Sequence, residues 1–218
     1  MKTPQVVKTS KDIINPEKKN DISLSLVKFS RAWAFWENYT NKTKDLDYNK
    51  SNKLIFKWDD IITFFQFWNK YPGNNIKNIF FDGEHVKYFF EDNKRIISMN
   101  IFVDGILPMW EDEKNKGGKF FQCDYQIQKD KLDKFIDLAN FHWKKLILNV
   151  MGGGIPHADF INGVRFVDKT DFHRGKIIMF RMEVWIRKNL DENDIQEMKQ
   201  YLIKTLECES ITIKNITL

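Results

Sequence analysis

The sequence has few cysteines and none of the spacings that bind metal ions or build a disulfide framework. Its two cysteines, Cys123 and Cys208, are far apart in the chain, and no Cys-x2-Cys or His-x3-His pattern occurs. Small secreted domains need several paired cysteines, and structural zinc sites need clustered Cys and His. We therefore expect a reduced chain with no disulfide, no metal and no cofactor.

The sequence also lacks an apolar run of membrane-spanning length, which takes about 20 residues. Residues 1–22 are polar, contain two prolines and show no periodicity. We interpret them as a flexible tail without the apolar centre of a signal peptide. The remaining residues, 23–218, can build one well-buried core, and a single domain is expected. We expect a cytoplasmic monomer that does not bind membranes.

Catalytic motifs are missing as well. The three carboxylates at 111–113 are consecutive on a loop and point in different directions, so they cannot act as a pair. His157 and Asp159 match neither a metal-ligand spacing nor a nucleophile motif. The glycines of MGGGIPH, residues 151–157, lack the Gly-Lys-Ser/Thr ending of a phosphate loop and indicate a helix end. We expect that the protein is not an enzyme.

Apolar periodicity predicts antiparallel strands interrupted by three helices. The helices are expected at 61–71, 132–150 and 189–206, the first capped by Asp59 or Asp60. Strand-like patterns occupy the following segments: 26–39, 52–58, two runs within 76–103, 119–127, 163–169, 175–188 and 210–218. This order predicts an α+β fold with the helices on one face of the sheet.

The segment PMWEDEKNKGG, residues 108–118, places Trp110 directly before a charged run. An exposed tryptophan beside a carboxylate suits a flat, positively charged heterocycle, because the ring stacks and the carboxylate accepts hydrogen bonds. Basic residues for phosphates are available, since 164–188 holds seven Lys and Arg against three acids, within a net charge of +5. The alternative interpretation is a Trp110 that anchors its loop in the core and a basic face that is merely solvated.

Four segments in order, AWAFWENY, GILPMWEDEKNKGGKF, FHWKKLILNVMGGG and FRMEVWIRK, resemble the cap-binding translation initiation factor 4E family over residues 27–216. The resemblance implies a strongly curved antiparallel sheet of seven or eight strands with three helices on its convex face. It also implies a slot on the concave face for the 7-methylguanosine cap of messenger RNA. The protein would then promote translation initiation without catalysing a reaction.

The resemblance implies roles for four residues in the slot. Trp110 corresponds to a stacking ring and Glu111 to the carboxylate that reads guanine. Tyr48 stands where the family usually has the second stacking Trp, in a loop two residues longer than usual. Trp185 aligns with the Trp that contacts the methyl group, although an ordinary core tryptophan is the alternative interpretation.

The phosphate side departs from the family pattern. Lys169 and Arg181 match two of three expected basic residues, while Asp171 stands at the third position. The hairpin 170–179 is longer than usual, and whether it closes over the phosphates is left open by the sequence. Further candidates to replace the missing charge are Arg174, Lys176 and Lys119.

The helical face departs further. In the family it binds a Tyr-x4-Leu-apolar helix of scaffold proteins. Ile61, Phe65 and Leu148 would form the apolar patch here, but Lys144 and Lys145 replace a Leu-Glu pair. The reversed charge predicts a divergent partner, and it leaves a second role open, a cap-binding repressor or decoy that does not engage the usual scaffold.

An extra segment at about 73–95 interrupts the family pattern and is predicted to form a hairpin. A final loop and strand of the family have no counterpart before Leu218. The resemblance therefore implies seven or eight strands and weak contact beyond the first nucleotide.

Overall fold

A computed structural model describes residues 27–41, 51–82, 85–87, 94–127, 131–170 and 178–217. Nine strands are present in these ranges: β1 Lys28–Asn41, β2 Asn52–Asp60, β3 Phe81–Asp82, β4 His85–Val86, β5 Lys94–Val103, β6 Lys119–Ile127, β7 Ile161–Asp168, β8 Ile178–Ile186 and β9 Thr212–Asn215. Seven of them form one antiparallel sheet in the order β2-β1-β5-β7-β8-β6-β9. The curved sheet confirms the expected strand number.

Four α-helices lie between the strands of the described ranges: α1 Ile61–Trp68, α2 Ile76–Phe80, α3 Leu132–Met151 and α4 Glu192–Leu206. Short 3-10 turns occupy Pro72–Asn74 and Ala158–Phe160. Asp60 caps α1 by accepting from the backbone N of Thr63 at 2.8 Å. The three long helices and the Asp60 cap agree with the sequence patterns, and none of the described helices is long and apolar enough to cross a membrane.

The segment that begins at Ile76 differs from its predicted strand. Ile76, Ile79 and Phe80 are buried together, which is the spacing of a helix face. The amide of Ile76 donates to the Oδ1 atom of Asn140 on α3 at 2.8 Å, and Asn75 caps the turn by accepting from the Lys77 amide at 3.0 Å. Packing against α3 thus overrides a strand-like composition. The predicted hairpin is reduced to the two-residue strands β3 and β4, and the rest of it lies partly outside the described residues.

The core fills one face of the sheet, between the strands and the helices. Along β7 the side chains alternate: Val164 and Phe166 are buried under the helices, whereas Arg165 points to the opposite face. Phe166 meets Trp143 of α3 at 5.7 Å between ring centroids and Phe80 of α2 at 5.6 Å. The sheet therefore has a helix-covered face and an open face, as the α+β prediction requires.

The two cysteines meet inside this core although they are distant in sequence. Cys123 lies on β6 and Cys208 follows α4, and both thiols are free. A hydrogen bond between them raises the pKa of the buried Cys123 and lowers that of Cys208. Their contact could not be inferred from spacing, because it depends on how the end of α4 packs on the sheet.

Candidate functional site

A cleft of about 480 Å³ opens on the uncovered face of the sheet, and we call it the open-face cleft. Its volume lies within the range of small-molecule sites. Strands β1, β5 and β7 and the loop between β5 and β6 supply its lining: Asn38, Thr40, Arg95, Ile97, Trp110, Glu111, Arg165, Val167, Asp168 and Lys169. The cleft thus combines an aromatic ring, carboxylates and several cations.

A β-bulge shapes one wall of the open-face cleft. Asn38 on β1 pairs with Ser98, but the next residue, Tyr39, pairs with Ile96, so Ile97 has no partner on β1. The extra residue lets Ile97 line the cleft while Ile96 stays in the core. Bulges bend strands and increase local twist, which suits a concave wall.

Asp112 organises the loop that carries Trp110 and Glu111. Its Oδ2 atom accepts a hydrogen bond from the backbone N of Leu107, and its Oδ1 atom accepts from that of Lys114, both at 2.8 Å. The Asp112 carboxylate therefore has a structural role in this loop. It ties the two ends of the turn together.

The buried side chain of Asn115 anchors the same loop through hydrogen bonds. Its Nδ2 atom donates to the carbonyl oxygens of Leu107 and Met109 at 2.8 Å each, and its Oδ1 atom accepts from Asn162 on β7 at 2.9 Å. The side chains of Asn115 and Asn162 are withdrawn from water, so their polar atoms need these partners. Gly118 follows because a Cβ atom there would lie 2.2 Å from the carbonyl oxygen of Ile186. The loop is therefore fixed to the sheet at both ends.

Trp110 and Glu111 remain free on this rigid loop. Trp110 is 45% exposed, whereas its neighbour Met109 is 7% exposed and fills the core position. Neither side chain forms a hydrogen bond, ion pair or ring contact with another residue that the structure describes. The loop-anchor interpretation of Trp110 is therefore wrong, since Met109 and Asn115 anchor the loop.

A polar row crosses the open face and positions Arg165. Its Nε atom donates to the Oδ1 atom of Asn100 at 2.8 Å, and its Nη1 atom lies 3.4 Å from the Oε2 atom of Glu183. The guanidinium also lies over the Trp185 ring, 5.2 Å from its centroid. A planar cation held by an amide, a carboxylate and a ring is well ordered for binding an anion.

Lys169 and Arg181 lie near Arg165 on the same face. Arg181 donates from Nε to the Oδ1 atom of Asp124 at 2.6 Å. Desolvation lowers the pKa of Lys169, Glu183 raises it, and the charges of Arg181 and Arg165 lower it again. Burial is the main cause of the lowered pKa of Lys169, and the two neighbouring arginines add to it.

Trp185 lies beneath the open-face cleft, and its side chain is 0% exposed. Its Nε1 atom donates to the Oε2 atom of Glu183 at 2.8 Å, and its ring packs edge-on against Phe102 and parallel to Phe120. It is not among the residues that line the cleft. This environment matches the core-tryptophan interpretation, with Arg165 placed over the ring.

Other residues implicated by the sequence lie elsewhere. The Nζ atom of Lys119 is 3.2 Å from the Oε2 atom of Glu192 at the start of α4, and Lys119 does not line the open-face cleft. Three further candidates, Tyr48, Arg174 and Lys176, lie outside the described residues, as does most of the hairpin 170–179. Their roles stay predictions.

Several residues that line the open-face cleft were not identified as site residues from the sequence. Arg95 and Asp168 form an ion pair across β5 and β7, and the Asp168 side chain is fully buried. Asn38 and Thr40 come from β1, whose pattern identified only the apolar face. Arg165 is counted among the seven basic residues of 164–188, but the resemblance assigns it no role of its own. No signal in the sequence pairs Arg95 with Asp168, because their contact depends on strand register.

Among the residues that the structure describes, the side chains of His157, Asp194 and Glu197 lie close enough together to hold a metal ion. The His157 Nε2 atom lies 3.0 Å from Glu197 Oε2 and 3.5 Å from Asp194 Oδ1, and it forms no bond with the carboxylate of Asp159. The hydrogen bond to Glu197 raises the pKa of His157, and Asp194 and Glu197 raise it further. A protonated imidazole bridging two carboxylates accounts for this geometry without a metal.

The helix-covered side carries a shallow apolar depression of about 130 Å³, which we call the helix-face groove. It is lined by α1 and α3 through Phe64, Phe65, Trp68, Asn69, Lys144, Ile147 and Leu148. Of the residues expected here, Phe65, Leu148 and Lys144 are brought together. Ile61 is half-buried outside the lining, and Lys145 turns to Glu207 at 3.6 Å.

The family model for eukaryotic initiation factor 4E matches residues 28–215, which is nearly the whole described chain. The chain belongs to the eukaryotic initiation factor 4E family. This confirms the resemblance inferred from the Trp-Glu-Asp-Glu-Lys-Asn-Lys segment.

Sequence relatives within the 4E family are distant. The chain is 27% identical to eukaryotic translation initiation factor 4E of Xenopus laevis over 164 residues, covering 74% of this chain and 63% of the relative. It is 24% identical to that of Dictyostelium discoideum over 179 residues, covering 81% of this chain and 59% of the relative. The matched part therefore spans about three fifths of the length of these curated relatives.

Solved 4E structures share the fold. Caenorhabditis elegans eIF4E-3, in its complex with the 4E-binding protein Mextli, superposes with a TM-score of 0.64 at 17% identity, covering 86% of this chain and 92% of that one. Ascaris suum eIF4E-3, in its complex with the m7G cap, gives 0.60 at 20% identity, covering 88% and 92%. At this identity the likeness establishes the architecture of the sheet and helices.

Proposed function

We propose that this protein binds the 7-methylguanosine cap of messenger RNA and promotes translation initiation by recruiting a scaffold protein. The observation that carries the proposal is the exposed ring of Trp110 beside the carboxylate of Glu111, which is unpaired among the described residues, both lining a cleft that also holds cations. Membership of the 4E family supports it, as do the cap complexes of Schistosome and Ascaris suum 4E proteins.

Trp110 and Glu111 would divide the recognition of the base. N7-methylation makes guanine cationic, so the Trp110 face attracts it by a cation–π interaction on the order of 1 kcal/mol. By family resemblance, Tyr48 would cover the other face with a smaller ring. The Glu111 carboxylate would accept two hydrogen bonds from guanine N1–H and the exocyclic amine. Two ring faces would distinguish the cap from GTP, which the carboxylate alone would not.

The triphosphate would extend toward Arg165, Lys169 and Arg181. Arg165 and Lys169 line the open-face cleft, and Arg181 lies on the neighbouring strand. Arg174 is proposed to add a charge from the hairpin 170–179, and Arg174→Ala should then weaken cap affinity. An unchanged affinity in that variant would remove the hairpin from the site.

The test is quenching of intrinsic tryptophan fluorescence by 7-methyl-GTP and by GTP, with calorimetry for variants that lose the reporter. We expect a strong preference for the methylated nucleotide in the parent protein. Tyr48→Ala should reduce that preference, and Trp110→Ala should weaken binding of 7-methyl-GTP by about 1 to 3 kcal/mol. Equal weak binding of both nucleotides would overturn the cap proposal.

Scaffold recruitment would use the helix-face groove. Phe65 is 39% exposed and Leu148 is 41% exposed, and an apolar helix of a partner would bury both. The 4E-binding protein Mextli in the C. elegans complex supports a partner of this kind. Lys144 lines the groove and would repel a basic partner residue, so we propose a partner that presents an acid there.

The same lysine supports a second candidate function, a cap-binding repressor or decoy. A protein whose groove rejects the usual scaffold would hold the cap without starting translation. Affinity capture from cell extract on immobilised protein separates the two, because the initiator alone should retain a scaffold and its helicase. Incubation with capped RNA and Mg²⁺ should release no nucleotide product if the protein is not an enzyme.

A further inference from the structure

A second cleft also borders the loop that carries Trp110, and we call it the basic cleft. It has a volume of about 610 Å³ and is lined by Glu113, Lys114, Phe160, Arg187, Lys188 and Asn189. None of these residues lines the open-face cleft. The cap proposal makes no use of them.

Arg187 is held in a fixed orientation in the basic cleft. Its guanidinium carbon lies 4.6 Å from the centroid of the Phe160 ring, and its backbone N donates to the carbonyl oxygen of Phe160 at 2.9 Å. Stacking on the ring leaves the edge of the guanidinium, with its N–H groups, free to bind an oxyanion.

The positive charge of the basic cleft is not neutralised by the part of the chain that the structure describes. Within those ranges the side chains of Lys114, Arg187 and Lys188 form no ion pair. The acid of the lining, Glu113, is already paired with Lys116. Three cations without an ion-pair partner among the described residues therefore line the cleft, and the carboxylate in the lining is paired with Lys116.

A fourth cation lies close behind this cleft. Arg31 donates to the carbonyl oxygens of Ala158 and Ile161 at 2.8 Å each. Desolvation lowers the pKa of Arg31, Asp159 raises it, and the charge of Arg187 lowers it again. Like charges held together at this end of the sheet favour a polyanion over a neutral ligand.

The basic cleft is separate from the proposed phosphate side of the open-face cleft. Arg181 lies on β8 and Arg187 directly follows its last residue, so the two are six residues apart, which corresponds to about 20 Å of extended chain. One triphosphate cannot reach both. A ligand of the basic cleft is therefore independent of the cap.

We propose that the basic cleft binds the phosphates of single-stranded RNA without requiring a cap. Three cations around an open surface match a chain of phosphates, and the guanidinium of Arg187 over the Phe160 ring offers a base a group on which to stack. An acidic peptide would use the charges but not the platform. The proposal goes beyond cap binding and does not depend on it.

The test compares two triple variants of the full chain. One removes Lys114, Arg187 and Lys188 by substitution to Gln. The control removes three exposed lysines outside both clefts, Lys134, Lys204 and Lys214, in the same way. Each lowers the formal charge by the same amount. Binding of a labelled, uncapped 12-nucleotide RNA is measured by fluorescence anisotropy across a salt series, with 7-methyl-GTP saturating the open-face cleft.

We expect the first variant to bind the RNA roughly tenfold more weakly at low salt, with a log–log salt slope shallower by about 2, since three phosphate contacts are lost. The control should stay near the parent protein. Equal weakening by both variants would mean a general charge effect and would overturn the proposal. So would an oligoglutamate peptide that displaces the RNA at lower concentration than unlabelled RNA does.

Titration with 7-methyl-GTP keeps this result distinct from the cap proposal. Unchanged nucleotide quenching in the triple variant shows that it is folded and that the open-face cleft is intact. If the parent protein binds no 7-methyl-GTP, cap binding fails, and the RNA comparison is then made without the nucleotide.

Discussion

The two faces of the sheet hold their binding side chains in different ways. On the open face, Arg165 is bonded to Asn100 and Glu183, and the loop bearing Trp110 is fastened by Asn115. On the helical face, Phe65 and Leu148 are simply left partly exposed by two packed helices. A polar site needs directed partners for every buried group, whereas an apolar groove needs only shape and exposure. Changes at buried positions should therefore affect the open face most.

The largest effect is expected from Asn115→Ala, which removes the hydrogen bonds that anchor the loop carrying Trp110. The carbonyl oxygens of Leu107 and Met109 and an N–H of the Asn162 amide lose their hydrogen bonds to Asn115. We therefore expect the free energy of unfolding to fall by about 3 kcal/mol. Urea denaturation measures this loss, and 7-methyl-GTP affinity should fall with it. The exposed Asn193→Ala serves as the control, and equal stability of the two variants would contradict the fastening role.

Glu111→Gln tests the open face without disturbing its framework. The amide oxygen can accept one hydrogen bond from guanine, but the amide nitrogen cannot accept the other. We expect a loss of about 2 kcal/mol in 7-methyl-GTP binding, roughly 30-fold, with unchanged thermal stability. Calorimetric titration provides the measurement. The matched control is Glu113→Gln, two residues along the same loop, and a similar loss there would argue against base recognition by Glu111.

Phe65→Ala tests the helix-face groove in isolation. We expect it to weaken a helical Tyr-x4-Leu peptide with an acid facing Lys144 by more than 1 kcal/mol, while 7-methyl-GTP binding stays unchanged. Fluorescence polarisation of the labelled peptide measures the effect. The control variant is Phe141→Ala. It removes an exposed ring on α3 that does not line the helix-face groove, so peptide binding should not change. Peptide binding that tolerates Phe65→Ala would exclude the groove as the docking site.

The smallest effect concerns His157, which lies in neither site. Because Glu197 raises its pKa above the ordinary 6.5, protonated His157 stabilises the fold below that value. This contribution is lost as the pH rises through the raised pKa. The melting temperature of the parent protein should exceed that of His157→Gln most at acidic pH, and the difference should shrink toward neutral and alkaline pH. A constant difference across the range would show that the imidazole charge does not act on Glu197 and Asp194.

The sequence carried different amounts of information about the elements of the fold. The strands β6 and β8 and the helices α3 and α4 follow from periodicity, because one buried face imposes a regular pattern over many residues. The short helix α2 did not follow, because its residues favour strands and only contact with Asn140 makes the helical turn favourable. Local preference decided the long elements, and packing decided the short one.

The sequence by itself determined the family, the order of the elements and the pairing of Trp110 with Glu111, because these reside in contiguous or regularly spaced residues. Tertiary structure alone decided that Trp110 is exposed, that Trp185 is buried beneath Arg165, and that Asn115 meets Asn162. It also brought Lys114 beside Arg187. Each of these contacts joins segments distant in the chain, and strand register and loop closure set their geometry, so no local pattern records them.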